Sequence, residues 1–182
     1  LGCSLGASTL AMRHGIGDKS CTLTGVDNSP DMIERAEHFI ALDDLPLPVS
    51  LRCEDILQTD LQPASVTTLN FTLQFVAPEH RNSLLERIAN ATLPGGALIL
   101  SEKIRFESAT EQAIQTDLHH EFKRANGYSD LEISRKRSAL ERVLLPETLT
   151  EHRERLHSAG FSDVMVWYQC FNFVSMLAIK SS

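Results

Sequence analysis

Gly2, Cys3, Ser4, Leu5 and Gly6 place two glycines around a serine at the start of the chain, and the pattern has two chemical readings. As G-x-S-x-G it matches a nucleophile elbow, in which a serine on a sharp strand-to-helix turn attacks an ester. That chemistry also needs an acid and then a histidine on a loop after a late strand. The later histidines do not supply one, since His152 and His157 fall within a predicted helix. The other reading is a glycine turn that lets the backbone approach a ligand closely, with free N–H groups at the start of the following helix.

Three further residues favour the second reading. Asp27, about 20 residues on at the end of a predicted strand, stands where an acid accepts hydrogen bonds from ribose hydroxyls. Asp55 follows the next extended segment and could face an adenine amino group. Asn70, in the segment after that, would sit near a ligand's amino-acid or sulfonium end. A dinucleotide site shares the turn and the acid, but its glycine pattern is G-x-G-x-x-G, and position 4 here is Ser. Any one of these residues reads equally well as a simple turn or cap. Together with the glycine turn they make four features at consecutive strand ends, which are hard to dismiss as separate caps.

Arg137 raises a separate question. Ile133, Leu140 and Leu144 recur at helical spacing, and Arg137 falls inside that apolar stripe. A guanidinium there needs an anion, because burying an unpaired charge is costly. Glu141, one turn on, is one partner; a substrate carboxylate held by a bidentate fork is another. Spacing alone leaves both open. His119, His120, Lys123 and Arg124 form a local basic group that reads as a solvated helix face. Adjacent histidines on a helix point apart, and the others show no ligand spacing, so no metal is expected.

The elements that must position these residues alternate between strand and helix. Helices are expected over Ala7–His14, from Pro30 with Ser29 as its cap, and over Pro78–Thr92. Strands are expected over Cys21–Val26, Val49–Cys53, Val66–Phe71 and Ala97–Ser101, the last after a tight turn at Pro94-Gly95-Gly96. The region 106–145 is polar and mostly helical, an insertion suited to a lid or a partner contact, and Ser129 to Glu132 has the form of a capping box. Val164–Lys180 reads as a closing hairpin that contributes one antiparallel strand. This alternation predicts an α/β fold of doubly wound, mostly parallel type over 1–182 as one domain.

Composition narrows the function. The net charge of -7 argues against a nucleic-acid surface, whose affinity comes largely from neutralised phosphates. The four cysteines are widely spaced and read as buried, reduced thiols, which points to the cytoplasm. No apolar run approaches the roughly 20 residues of a membrane helix. Because Leu1 precedes Gly2 directly, an N-terminal part carrying the first strand is expected to precede the chain.

Longer strings carry a family resemblance. LGCSLGAS, DNSPDMIERA, LNFTLQF, LPGGALILSEK, HHEFKRANGYS, EISRKRSALE and WYQCFNF together resemble the carboxy-S-adenosyl-L-methionine (carboxy-SAM) synthase family, over essentially the whole chain. The resemblance implies the Rossmann-like class I S-adenosyl-L-methionine (SAM)-dependent methyltransferase fold, with a mostly parallel seven-stranded sheet, one antiparallel strand, and its first strand missing or truncated here. It implies conversion of SAM to carboxy-SAM with prephenate as carboxyl donor and phenylpyruvate as product, for modification of the tRNA wobble uridine. By the same resemblance Gly2, Cys3 and Ser4 line the cofactor, Asp27 and Asn28 bind its ribose side, and Asp55 and Ile56 flank the adenine. Asn70 lies beside the reactive end, and Arg137 holds the added carboxylate. A homodimer is implied, with no direct nucleic-acid contact. The competing readings are a conventional SAM-dependent methyltransferase acting on RNA or a small metabolite, and an inert SAM-binding module. Arg137 separates the first two, because a methyl donor has no extra carboxylate to neutralise.

Overall fold

The computed structural model describes residues 1–16, 20–140 and 144–182, with side chains described outside 136–140. The chain divides into two compact units, Leu1–Gln62 and Pro63–Ser182.

The first unit runs α1 (Ala7–Ile16), β1 (Leu23–Asp27), α2 (Pro30–Ala41) and β2 (Val49–Cys53). The two strands pair in parallel, from Leu23 opposite Val49 to Asp27 opposite Cys53. Leu23, Val26, Ile33, Ala36 and Leu47 are buried in its core. Ser29 caps α2 by accepting from the Met32 N–H, with Pro30 at the first helical turn, as its sequence signature predicts. The other end of α2 is closed by a residue the pattern does not reveal. The buried Arg13 guanidinium donates to the carbonyls of Ile40 (3.2 Å), Asp43 (3.1 Å) and Leu47 (3.1 Å). It thereby ties the last turn of α2 to the loop that follows it.

The second unit runs β3 (Ala64–Asn70), a 3-10 turn at Leu73–Phe75, α3 (Pro78–Ala91), β4 (Thr92–Lys103), α4 (Ala109–Ala125), α5 (Asp130–Leu140), α6 (Leu149–Ala159), β5 (Asp163–Cys170) and β6 (Phe173–Ile179). Its sheet has the order β3-β4-β6-β5. β3 and β4 are parallel, and β6 runs antiparallel to both of its neighbours, so it is the reversed strand of the closing hairpin. Leu84, Leu85 and Ile88 of α3 are buried, as are Leu98 and Leu100 of β4 and Val174 and Met176 of β6. The sheets of two and four strands give six strands among the described residues, against the expected seven that counted a missing first strand.

Two expectations need correction. Pro94-Gly95-Gly96 is not a turn before a strand but a bulge inside β4, where the pairing slips from Ala64–Thr92 to Val66–Ala97. Gly95 adopts a φ of 73°, and a Cβ on Gly96 would lie 2.7 Å from the carbonyl oxygens of both Leu93 and Ser65. The cysteines are not uniformly buried either. All four are free, but only Cys3 is buried, whereas Cys21 and Cys170 are half-buried and Cys53 is exposed. An apolar neighbourhood in sequence does not say which face of a strand end meets water.

The insertion is helical as expected. α4 has no buried residue, and the capping box of α5 forms, with Ser129 N–H donating to Glu132 (2.8 Å) and Glu132 N–H to the Ser129 hydroxyl (3.3 Å).

Candidate active site

In the first unit the glycine turn closes onto the end of β1. Cys3 N–H donates to the Val26 carbonyl (3.0 Å), which ties the turn to that strand. Gly2, Ser4 and Gly6 all adopt positive φ, at 67°, 48° and 81°. Gly2 and Gly6 adopt it without a Cβ penalty, and the Ser4 N–H is held by Asp27. Gly25 on β1 permits the contact, since a Cβ at that position would meet Leu51 Cδ2 at 2.7 Å and Cys3 Sγ at 3.2 Å.

Asp27 then collects the surrounding loops. One carboxylate oxygen accepts from Ser4 N–H (2.8 Å) and the other from Ser29 N–H (3.1 Å). A carboxylate offers about four lone-pair sites, so two backbone donors leave capacity for a vicinal diol. Asp55, just past the end of the parallel neighbour β2, accepts from Leu57 N–H at its side chain (2.9 Å) and from Thr59 N–H at its carbonyl (2.8 Å). Both acids thus stand at the carboxyl ends of adjacent parallel strands, where α/β sheets bind ligands. The Ser4 hydroxyl donates to Met32 Sδ at 3.7 Å rather than to a histidine, which removes the support for a nucleophile elbow.

In the second unit Asn70 ends β3 opposite Ser101. The Ser101 hydroxyl donates to Asn70 Oδ1 (2.9 Å) and lies 2.9 Å from the Ser175 hydroxyl. This relay fixes the amide with its Nδ2 end as the donor. Beyond Asn70 the chain turns through Phe71, whose φ is 56°. The buried Glu102 carboxylate receives the N–H groups that follow, those of Thr72 (3.2 Å), Leu73 (2.9 Å) and Gln74 (3.0 Å). Burial raises this carboxyl to about 8, although the three N–H donors and the charge of Arg81 pull it down.

Arg81, 1% exposed, donates to the Val76 and Gln74 carbonyls and pairs with Glu147 at 2.8 Å. Arg155 pairs with the same carboxylate. Burial alone would raise Glu147, but hydrogen bonds from the two guanidiniums outweigh it and hold the group at about 2. Beside them His152 is buried with neither ring nitrogen hydrogen-bonded, and burial lowers it to about 4.

Relatives decide what this geometry belongs to. Residues 1–96 match the family model described as a methyltransferase domain. A carboxy-S-adenosyl-L-methionine synthase of Marinobacter nauticus is 76% identical over 182 residues, covering 100% of this chain and 73% of the relative. The chain belongs to the carboxy-SAM synthase family. The synthase of Pseudomonas aeruginosa strain UCBPP-PA14 is 58% identical, covering 98% of this chain and 74% of its own. Among solved structures, human N-acetylserotonin methyltransferase in complex with SAM superposes with a TM-score of 0.67 at 21% identity, over 100% of this chain and 46% of that one, and so supports the fold. Carboxy-SAM synthases are enzymes, and SAM is the cofactor of the family.

Set against the residues that resemblance to carboxy-SAM synthases implied, the structure brings together Gly2, Cys3, Ser4 and Asp27 at one turn, with Asn28 exposed beside it and Asp55 and half-buried Ile56 after β2. Asn70 stands at the end of β3. Arg137 belongs to α5, but its side chain lies outside the described residues, as does Glu141, so its partner is not assigned. The basic group on α4 is less uniform than a solvated face. Arg124 pairs with Glu121 and Asp130, while His119 stacks on Phe171 with centroids 5.5 Å apart and meets Phe173 edge-on at 5.1 Å. His119 and Lys123 also line a cavity of about 260 Å³ between α4 and α5. Among the described residues no His, Cys, Asp or Glu group is arranged to hold a metal ion, and no helix is long and apolar enough to cross a membrane.

Sequence reading missed Ser101, Glu102, Gln74, Arg81 and Ser175. One signal was available for Glu102: on a strand of period 2 it shares a face with Leu98 and Leu100, so a carboxylate was due on a buried face.

Proposed function

We propose that this chain converts SAM to carboxy-SAM, taking the carboxyl group from prephenate and releasing phenylpyruvate, in the cytoplasm and in service of tRNA wobble uridine modification. In balance, the SAM methyl carbon gives up a proton while prephenate loses carbon dioxide and hydroxide as its ring aromatises. The methyl carbon bonds to the carbon dioxide, and the proton and hydroxide leave as water. The observation that carries this reading is the 76% identity to a carboxy-SAM synthase across the full chain.

The residues present fit the cofactor. A turn with positive φ at Gly2, Ser4 and Gly6 suits a closely packed amino acid and nucleoside, which supports Gly2, Cys3 and Ser4 as its lining. Asp27, with Asn28 beside it, takes the ribose hydroxyls on lone pairs the backbone leaves available. Asp55 and Ile56 flank the adenine. Asn70 lies beside the amino-acid and sulfonium end. Arg137 binds the carboxylate that distinguishes product from substrate. A second copy of the chain completes the assembly, a reading supported by the exposed Met165, Trp167 and Tyr168 on the edge strand β5.

Mass spectrometry of the small molecule released from denatured protein tests the proposal. A species heavier than SAM by one carbon dioxide is expected. Plain SAM, together with no product from SAM and prephenate, would move the chain to conventional methyl transfer. In the same assay Arg137→Ala should lose the preference for carboxy-SAM over SAM, and equal loss for both ligands would remove its role.

A further inference from the structure

Alternation along β4 turns Ser101 and Glu102 to opposite faces of the sheet, and both reach the same stretch of chain. Ser101 holds the Asn70 side chain through Oδ1 at 2.9 Å, and its carbonyl accepts the Phe71 N–H at 2.7 Å. Glu102 holds the backbone just beyond. Its Oε1 accepts from Thr72 and Leu73, and its Oε2 from Gln74. The Gln74 side chain closes the loop by accepting the Lys103 N–H at 3.1 Å. Between these anchors lies Phe71 in the left-handed region, a conformation that persists in a bulky residue only where its surroundings enforce it.

A buried carboxyl group is an expensive way to close a turn. Three successive N–H groups converging on one point make the kind of concavity that ordinarily binds an anion. Here the chain fills it with its own carboxyl group, at 0% exposure. Turns of this size are common without such an anchor, so the arrangement secures one geometry rather than merely a reversal of direction.

We infer that Glu102 is a positioning residue for carboxylation: by holding the Thr72–Gln74 N–H groups it enforces the left-handed Phe71 and fixes the Asn70 amide at the reactive end of SAM. The inference rests on the role given to Asn70 above. It places Glu102 in the reaction without contact to SAM or the carboxyl donor.

The test uses the full-length protein with Glu102→Gln, Glu102→Ala and Asn70→Ala. Glutamine keeps the volume but sets an amide N–H2 or a weaker acceptor against one N–H. It should lower kcat roughly tenfold to a hundredfold, the scale expected of a small misplacement of reacting groups. SAM affinity measured by calorimetry should stay within about threefold, because the ribose and adenine contacts are untouched. In Glu102→Ala the vacated site should accept formate, and added formate should restore activity about tenfold or more. Unchanged kcat in Glu102→Gln would overturn the inference, as would matched losses of kcat, SAM affinity and melting temperature with no formate rescue. Asn70→Ala with wild-type kcat would remove the Asn70 role and the positioning role with it. An impaired Asn70→Ala beside a fully active Glu102→Gln would remove the positioning role alone. A further readout needs no turnover. In nitrogen-15 labelled protein with SAM bound, the Asn70 Nδ2 resonances should shift or broaden in Glu102→Gln, and an unmoved pair would also overturn the inference.

Discussion

Asp27 and Glu102 both carry a side-chain carboxyl near a strand end, and both accept backbone N–H groups, yet the two units use them in opposite ways. Asp27 is half-buried and takes one donor on each oxygen, from Ser4 and from Ser29. Glu102 is fully buried and is met by three successive donors. The first acid keeps acceptor capacity at the surface, where a ligand's hydroxyls can reach it. The second spends that capacity on the chain itself. Around each, the supports differ in the same sense. The first unit builds its turn from glycine conformations and short loops, while the second relies on a buried ionic network joining Arg81, Glu147 and Arg155. On the roles proposed for them, binding and positioning draw on one functional group, separated by how much water it retains.

This contrast can be broken most forcefully in the second unit. Arg81→Leu should cost about 3–5 kcal/mol, because it strips Glu147 of a buried partner and leaves the Gln74 and Val76 carbonyls short of a donor. Urea denaturation measures it, and a loss below about 1 kcal/mol, no more than an exposed pair contributes, would mean the network is not a support at all.

The pH dependence of stability comes next. The folded pKa of His152, about 4, lies below its ordinary 6.5, so its contribution is present above pH 6.5 and is lost as pH falls from 6.5 towards 4. That loss is on the order of 3 kcal/mol. The groups facing it are Glu147, Glu151, Arg155 and Arg81. Glu147 acts in the same direction lower down, its contribution being lost between pH 4.5 and about 2. Glu102 acts the other way: raised from 4.5 to about 8, it favours the fold at low pH and loses that contribution as pH rises across this window. The two trends oppose each other between pH 4.5 and 6.5. Melting curves of His152→Leu should therefore rise towards acid over that interval, where the unmodified protein stays nearly level. Parallel curves would show that His152 titrates normally.

In the first unit the effect should fall on the ligand instead. Asp27→Asn should weaken SAM binding by about 1.5–3 kcal/mol, as expected for hydrogen bonds to a charged group, with a much smaller change in urea midpoint than Arg81→Leu. An equal loss of stability would erase the distinction between the two carboxylates. The smallest effect concerns local structure alone. Thr148 caps α6 in a complete capping box with Glu151. Thr148→Ala should cost about 1 kcal/mol and leave SAM affinity unchanged.

How much of this could be read beforehand follows the range of the interactions. The cap at Ser29, the box at Ser129 and the closing hairpin were legible because their partners lie a few residues apart or in one continuous pattern. Asp27 and Asp55 were legible because the end of a parallel strand is itself a sequence signal. The bulge at Gly95-Gly96 was not, since a glycine pair reads equally as a turn until the strand beside it is placed. Arg13 was invisible for a similar reason: its carbonyl partners stand 27 to 34 positions away.

By itself, then, the sequence determined the alternation of strands and helices, the glycine turn, the acids at strand ends and the family, all of which depend on local spacing or on strings of neighbours. Tertiary structure alone decided that Ser101 and Ser175 orient Asn70, that Glu102 binds the turn beyond it, and that Arg81 and Glu147 meet. The Ser101–Ser175 contact spans 74 positions and the Glu102 contacts 28 to 30. A serine or glutamate carries no mark in one dimension of what it will face across a sheet. Its role appears only when strand pairing sets the register and burial removes the water that would otherwise compete for its hydrogen bonds.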